Sequence, residues 1–522
     1  MSTASSASKA PVVTHDRELE HGEIMVIMSA LMLALLLGAL DQTIVATALP
    51  KIANDLHGLS EYSWVATAYL LTSAVSTPIY GKISDMFGRK KIFQFSIILF
   101  LIGSALCGLS QTMTELIFFR GLQGLGAGGL MTLVFAIIGD VVPPRSRGRY
   151  QGYFGAVFAV ASVIGPLLGG VLTDDLSWRW VFYVNIPLGI VALSAIGARL
   201  HLPVRHVEHR IDWPGASLLA ISVTCLLLAT VWGGVTYPWG SGQIVGLFGG
   251  AVVSALLFVW RERHAAEPVI PLRLFKNGIF SVTTLLSLLV GAIMFGAIIF
   301  LPEYQQLIRG DSPIKSGLML MPLILGVVTA SLTAGRLTSK LGRYRMFPII
   351  GSILFIISLW LFSHIGVNTS RLVLGVWMVL LGIGVGQIMP ILTLAVQNAV
   401  ERKDLGTATS SVVFFRSIGS ALGAAVFGAV LINRLTHYVL QSLPVSAGKQ
   451  VVAGIKQSLT GTAGLPHADT TVILASFAHA FRDVFMVGLP LAVATLIVAL
   501  FLKEAPLKTS TKEIAEGQGL EI

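Results

Sequence analysis

The segment GKISDMFGRKK, at residues 81–91, returns in altered form as GRLTSKLGRYR at residues 335–345. A constant offset of 254 residues aligns three positions of these segments: Gly81 with Gly335, Gly88 with Gly342, and Arg89 with Arg343. The same offset aligns three later glycines: Gly152 with Gly406, Gly165 with Gly419, and Gly169 with Gly423. Between them, GLGAG at 124–128 faces GIGVG at 382–386 with a slip of four residues. Because separate segments agree in their order, the sequence predicts two repeated halves.

The composition indicates a membrane protein. Of the 522 residues, 54% are hydrophobic and only 12% are charged, whereas roughly a quarter of the residues of a soluble domain are charged. Apolar segments of spanning length number fourteen: they lie at about 25–49, 62–81, 92–110, 114–139, 151–173, 179–199, 213–236, 241–260, 278–302, 314–335, 347–365, 371–397, 408–433 and 478–502. We therefore expect one all-α integral membrane protein with fourteen transmembrane helices.

The net charge of +10 is distributed asymmetrically. With the N-terminus inside, 25 of the 36 Lys and Arg residues lie on the inner side and nine on the outer side. This positive-inside bias predicts cytoplasmic termini and argues against a nucleic-acid partner. Residues 1–23 lack the pattern of a removable signal peptide. Cys107 and Cys225 both fall in apolar segments, so we expect no disulfide and no metal site.

The repeat and the spans together predict the organisation of the chain. Two pseudo-symmetric six-helix halves flank an insert that contains spans seven and eight. The expected regions are a cytoplasmic tail at 1–23, the N-terminal half at 24–200, the insert at 201–276, the C-terminal half at 277–502 with a long outer loop at 434–477, and a cytoplasmic tail at 503–522. Duplicated membrane halves are typical of secondary transporters, which bind substrate between the halves near the midplane.

Four motifs resemble those of the major facilitator superfamily, and within it the fourteen-span drug:proton antiporter-2 family. GKISDMFGRKK fits the family's loop motif, and RGLQGLGAGG at 120–129 fits its span-four motif. GPLLGG at 165–170 fits its antiporter motif, and LDQTIVATALP at 40–50 fits its span-one signature, with Ala46 and Thr47 in place of the usual Asn-Val pair. The resemblance covers residues 24–502 and implies the major facilitator fold.

Asp41 lies inside the first span, where an ionised carboxylate costs a few kcal/mol or more. It is about 10–12 Å below the outer end of that span, and Arg120 in span four is about 9 Å below the same surface. Pairing would offset the desolvation of both groups. Two interpretations stay open: a static structural ion pair, or a carboxylate that takes up and releases a proton. The resemblance implies the second.

Further charged residues lie within or beside the predicted spans. Glu303, in FLPEYQQ at the outer end of span nine, is a second candidate for proton or cation handling. The alternative is a residue that only lies at the solvated outer rim of the bundle. Asp483, beside Arg482, is expected at the rim. Arg416 in span thirteen has no evident acidic partner in the sequence.

The resemblance also implies a latch between the two halves. The residues concerned are Gly81, Asp85, Gly88, Arg89 and Asp140. In the family, the matching aspartate faces the start of the helix that is span thirteen here, near Gly406, and the matching arginine pairs with the acid that closes span four. A carboxylate at a helix N-terminus is favourable by about 0.3–1 kcal/mol, so this contact is expected to stabilise an outward-facing state.

Several other patterns are structural rather than catalytic. The glycines and proline of the antiporter motif, Gly165, Pro166, Gly169 and Gly170, permit a bend and close helix approach. The match of Gly124, Gly126 and Gly129 to a dinucleotide fingerprint is spurious, because no strand precedes it. The histidines in HLPVRHVEHR at 201–210 are interpreted as a solvated linker. No motif indicates an enzyme, and no cofactor is expected.

Polar residues on the spans that line the cavity of the resembled family are candidate substrate contacts: Thr43, Tyr69, Gln123, Gln387 and Asn398. The expected function is proton-coupled export of small lipophilic, often cationic compounds, by a protein of the plasma membrane that works as a monomer among membrane lipids. The alternatives are export of a lipid, siderophore or other metabolite on the same fold, and a non-transporting sensor or channel.

Overall fold

A computed structural model describes residues 21–58, 61–200, 211–234, 236–443 and 467–507. This part of the chain is helical and contains no named strand. The helices are α1 His21–Asp55, α2 Tyr62–Phe87, α3 Arg89–Leu109, α4 Met113–Val141, α5 Pro144–Val171, α6a Trp180–Tyr183, α6b Asn185–Arg199, α7 Trp213–Trp232, α8 Gly242–His264, α9 Gly278–Arg309, α10a Pro313–Leu318, α10b Met321–Leu341, α11 Met346–Phe362, α12 Arg371–Ala399, α13 Leu405–Ser442 and α14 His467–Leu500.

Each of the fourteen predicted segments is helical. In the described ranges, twelve helical segments are long and apolar enough to cross a membrane. The two helices outside that group are α2, whose sequence is rich in Ser and Thr, and α11, which has only 17 residues. The all-helical, multi-span fold class is therefore confirmed.

Local sequence determines where many of the helices begin and end. Ser and Thr hydroxyls cap the starts of α4, α8, α10a and α12, and the Asn277 side chain caps α9. Such caps satisfy backbone N–H groups that have no partner within the helix. Gly310 and Gly342 end α9 and α10b in the left-handed conformation, which glycine adopts without a side-chain clash.

The end of the bundle at which α1 begins and α14 ends is called the termini face below. The two halves meet along two seams, α2 against α13 and α5 against α10b. Each seam contains a close glycine pair near the termini face. A methyl group added to Gly81 would lie 2.8 Å from the carbonyl oxygen of Gly406, and one added to Gly148 would lie 2.8 Å from that of Gly335. Small residues thus let the backbones of opposite halves touch.

The inserted helices α7 and α8 pack against each other and against the α2–α13 seam. The connection that follows α8 is folded back by Glu262, whose carboxylate accepts hydrogen bonds from the backbone N–H groups of Val269 and Ile270. Within the same connection, Glu267 lies 3.1 Å from Lys82 of α2. The segment 265–277, named the strap here, therefore continues from the insert into contacts with both halves, since its Arg273 lies 2.7 Å from Asp404 beside α13.

The outer loop predicted at 434–477 is helical at both ends, so its predicted bounds are wrong. The α13 helix continues to Ser442 and α14 already begins at His467. Polar pairing supports these extensions, because Tyr438 donates a hydrogen bond of 2.9 Å to Asp483 and Arg434 lies 3.3 Å from the same carboxylate. The segment KQVVAGIKQSL at 449–459, whose pattern fits an amphipathic surface helix, and the histidine-rich tract at 201–210 lie outside the described residues.

Candidate functional site

The carboxylate of Asp41, on α1, is fully buried in the N-terminal half, with 0% of the residue exposed. Its Oδ2 atom lies 2.7 Å from Nη1 of Arg120 on α4. Its Oδ1 atom accepts hydrogen bonds of 2.8 Å from the amides of Gln123 and Asn185. The ion pair predicted from the matching depth of the two charges is therefore present, and each carboxylate oxygen has a donor.

Helical spacing positions the donors on α4. Arg120 and Gln123 lie one turn apart, and Nη1 of Arg120 also donates 2.8 Å to Oε1 of Gln123. On its other side, the guanidinium lies over the ring of Tyr69, 4.1 Å from the centroid. This cation–π contact and the ion pair hold the charge of Arg120 between α1 and α2.

Asn185 was not among the candidates predicted from the sequence. It follows the break between α6a and α6b, which lets its amide reach both Asp41 and the hydroxyl of Ser104 on α3, 3.0 Å away. The only signal was an amide residue inside the apolar segment 179–199. Four helices besides α1 therefore surround the carboxylate or fix its donors, and a buried pair is stable only with such additional hydrogen bonds.

A second charged cluster lies at the termini face. Asp85 accepts hydrogen bonds from the backbone N–H groups of Gly406 and Thr407, at 3.0 and 2.7 Å, at the start of α13. Arg89 pairs with Asp85 and, at 2.8 Å, with Asp140. The contacts of Asp85 cross from the N-terminal half to the C-terminal half, whereas the ion pairs of Arg89 stay within the N-terminal half.

Gly88 sits at the corner between α2 and α3, with φ of 93°. A side chain is strained in that conformation, so glycine suits the sharp turn that places Asp85 and Arg89 side by side.

Two further polar residues also close the termini face. The side chain of Gln397, on α12, donates 2.9 Å to the carbonyl of Phe135 on α4. Arg147, on α5, donates 2.8 Å to the carbonyl of Val142 and also reaches the carbonyl of Gln397. From the sequence, Gln397 was expected among the polar residues of the cavity-lining spans, whereas it lies at the termini face. Arg147 did not stand out, because a polar residue at a span end is usually solvated.

With this geometry in view, the relationship to known proteins is clear. The sequence matches the Major Facilitator Superfamily over residues 31–424. The chain belongs to this superfamily.

Individual members are similar along most of the chain. An uncharacterised MFS-type transporter of Mycobacterium tuberculosis (strain ATCC 25618 / H37Rv) is 41% identical, over 92% of this chain and 70% of its own. Multidrug resistance protein 3 of Bacillus subtilis (strain 168) is 38% identical, over 93% of this chain and 96% of its own. The fold is also that of the proton:xylose symporter XylE, with a TM-score of 0.61 and 14% identity, over 95% of this chain and 99% of that one.

In this superfamily member, the antiporter motif forms the contact between α5 and α1. Gly165 packs against Thr43, and a methyl group added to Gly169 would lie 2.9 Å from the carbonyl oxygen of Ile44. Pro166 lies within α5, and Gly170 has open space around it. The hydroxyl of Thr43 donates 3.0 Å to the carbonyl of Ala161, so this residue lies in the packing between helices.

The remaining candidates are dispersed. Asn398 lies at the termini face, where its amide donates 3.1 Å to the carbonyl of Pro506, far from the expected cavity. Gln387 has a buried side-chain oxygen without a partner, and the half-buried Glu303 has one as well. In the described ranges, no group of His, Cys, Asp and Glu side chains could hold a metal ion.

Proposed function

We propose that this transporter is a proton-coupled antiporter that exports small lipophilic, often cationic compounds by alternating access. The observation that carries the proposal is the Asp41 cluster, a fully buried carboxylate with a donor on each oxygen. Multidrug resistance protein 3 and the multidrug transporter protein MdtP of Bacillus subtilis, both 38% identical, support the substrate class.

The hydrogen bonds suggest how proton binding is linked to movement. A proton on Asp41 would compete with the donors from Arg120, Gln123 and Asn185, which lie on α4 and α6b. Its uptake would therefore accompany displacement of those helices relative to α1. Buried polar networks of this kind favour discrete arrangements over graded ones.

The conformation fits one stage of such a cycle. Contacts of Asp85 with α13 and of Gln397 with α4 join the halves at the termini face. With that face in the cytoplasm, as the positive-inside bias indicates, the protein would be closed on its cytoplasmic side. A proton would then reach Asp41 from outside as substrate leaves, and Glu303, nearer the outer end of α9, would be a second site of proton handling.

The wider setting of the proposal is a plasma-membrane protein with both termini in the cytoplasm, active as a monomer. The two six-helix halves at 24–200 and 277–502 would move against each other, and the insert at 201–276 would remain at their edge.

The first experiment measures proton release. Ethidium is added to the purified protein in weakly buffered detergent solution, and the pH change is recorded for the wild type, Asp41→Asn and Asp483→Asn. We expect release by the wild type and by Asp483→Asn, which alters a paired carboxylate in the C-terminal half, but none by Asp41→Asn. Equal release from all three proteins would exclude Asp41 as the exchanged site. No release from any of them would contradict cation export.

A further inference from the structure

Arg416 is a charged residue that the proposed mechanism leaves unused. It is half-buried within α13, eleven residues after the helix begins, or about 16 Å along its axis. In the part of the chain that the structure describes, its guanidinium has neither an ion-pair partner nor a hydrogen-bond partner. An unpaired charge at such depth is costly and generally marks a functional site.

The helical pattern places Arg416 on the face of α13 that meets the other half. Thr409, Val413 and Arg416 follow one another at four- and three-residue spacing, so they share one face. Thr409 contacts Gln397, which itself donates to α4, and Val413 packs in the hydrophobic core of the N-terminal half. Arg416 is the next position on this face, just beyond the closed contact.

The depth of Arg416 is close to that of Asp41 in the opposite half. Gly419 packs against Leu288 on α9, just as its counterpart Gly165 packs against Thr43 on α1. Arg416 lies three residues before Gly419, and Asp41 lies two residues before Thr43. The two charged groups therefore lie at similar levels, the depth at which the superfamily's architecture places substrate.

No acidic residue of the described chain is placed to neutralise Arg416. Asp41 is fully buried and occupied by its own donors. Glu303 lies twelve residues beyond Gly291, which touches the Arg416 backbone, and this spacing corresponds to about 18 Å along α9. Asp404 lies twelve residues before Arg416, and it is paired with Arg273. Among the described residues Arg416 therefore has no counter-charge, and the anionic group of a bound molecule would supply one.

We infer that Arg416 binds the anionic group of a lipophilic substrate, so that the compounds carried include amphipathic carboxylates. The inference rests on the proposed transport function and narrows its substrate class. A guanidinium donates two parallel hydrogen bonds to a carboxylate, a geometry that an ammonium cannot reproduce. One turn away on the same face of α13, the apolar side chain of Val413 suits a hydrocarbon or aromatic body.

The test uses three probes with the same aromatic body and different charge: pyrenebutyrate, pyrenebutanol and pyrenebutylamine. Binding to the purified transporter is followed by energy transfer from its nine tryptophans to pyrene. For Arg416→Gln we expect the Kd of pyrenebutyrate to rise about tenfold or more, because a hydrogen-bonded charge is lost. The Kd of pyrenebutanol should stay constant, and that of pyrenebutylamine should stay constant or fall. Arg416→Lys, which keeps the charge without the planar fork, should give an intermediate value for pyrenebutyrate.

Two outcomes would overturn the inference. In the first, the three probes weaken together, which indicates a structural role for Arg416. In the second, the Arg416→Gln protein binds pyrenebutyrate as the wild type does. Repeating the titration in nanodiscs with and without phosphatidylglycerol tests a lipid headgroup as the anion, and competition by that lipid in the wild type alone would also reject a substrate site.

Proton release on adding ethidium, measured in the Arg416→Gln protein, separates this inference from the proposed function. Release that persists while pyrenebutyrate binding is lost supports both. Release that persists with unchanged pyrenebutyrate binding overturns only the role of Arg416. If the wild type itself releases no protons, the proposed function fails, and the pyrene titrations still decide whether Arg416 binds anions.

Discussion

At the scale of single residues, the Asp41–Arg120 pair is held by more than its two charges. Gln123 and Asn185 donate to the carboxylate, and Tyr69 covers the guanidinium. The pair itself was predictable, because depth along a helix follows directly from residue number. The amide donors were not, since their contribution depends on the break before Asn185 and on the rotation of α4.

Removing one partner of this pair should cost more stability than removing both. Arg120→Gln leaves an uncompensated buried carboxylate, and we expect a loss of about 3–5 kcal/mol. The double variant Asp41→Asn, Arg120→Gln should recover most of that loss, while remaining inactive in proton exchange. Thermal unfolding in detergent, followed by tryptophan fluorescence, measures the coupling.

The matched control for this cycle is Arg434→Gln, which removes the half-exposed partner of Asp483. Exposed pairs contribute about 0–1 kcal/mol, so its unfolding temperature should scarcely change. Strict additivity of the Asp41 and Arg120 substitutions would mean that the buried pair carries no coupling energy.

At the scale of helices, the contact between α2 and α13 depends on the absence of side chains at Gly81 and Gly406. The sequence repeat indicated which glycines correspond, but not that glycines of opposite halves touch. The bounds of α13 and α14 were mispredicted for a related reason. Hydropathy records where the apolar stretch ends, whereas polar pairs such as Tyr438 and Asp483 continue both helices beyond it.

Gly81→Ala should push α2 away from α13 and open the termini face. The added methyl group would lie 2.8 Å from the carbonyl oxygen of Gly406. This clash can be relieved only by a shift of the helix backbone. We expect a longer distance between spin labels at the exposed positions Phe87 and Lys403 in a cysteine-free background. Gly170→Ala is the control, because nothing lies near its added methyl group. An unchanged distance distribution in Gly81→Ala would show that the seam tolerates the methyl group.

The contacts made by the insert could not be predicted from the sequence. Nothing in their apolar composition indicated more than peripheral packing. In the folded chain, the strap that follows α8 joins Lys82 of the N-terminal half to Asp404 of the C-terminal half. These ion pairs join residues far apart in sequence, among them the exposed Arg273 and the buried Asp404, which only the tertiary arrangement brings together.

At the scale of the whole molecule, the direction of transport depends on the charge that moves in each cycle. Exchange of one proton for a neutral compound moves one charge, which is worth about 2.3 kcal/mol per 100 mV. That energy corresponds to a concentration ratio of about 40-fold. Exchange of one proton for a monovalent cation moves no net charge.

Proteoliposomes energised by a potassium diffusion potential, and then by a pH gradient of equal size, test this difference. Export of ethidium should follow the pH gradient and ignore the potential, whereas export of a neutral compound should follow both. Ethidium transport driven by the potential alone would indicate that more than one proton moves per cycle.

The two glycine contacts, Gly81 with Gly406 and Gly148 with Gly335, have a consequence for the rate at which the halves separate. Where backbones are in direct contact, fewer interlocked side chains have to change rotamer before the halves part. The activation barrier to opening would then reside mainly in the hydrogen bonds from Gly406 and Thr407 to Asp85 and in the strap. Turnover would consequently be governed by a few polar bonds at one edge of the bundle, and salt would quicken it chiefly through the exposed Arg273 of the strap, because buried contacts are screened much less.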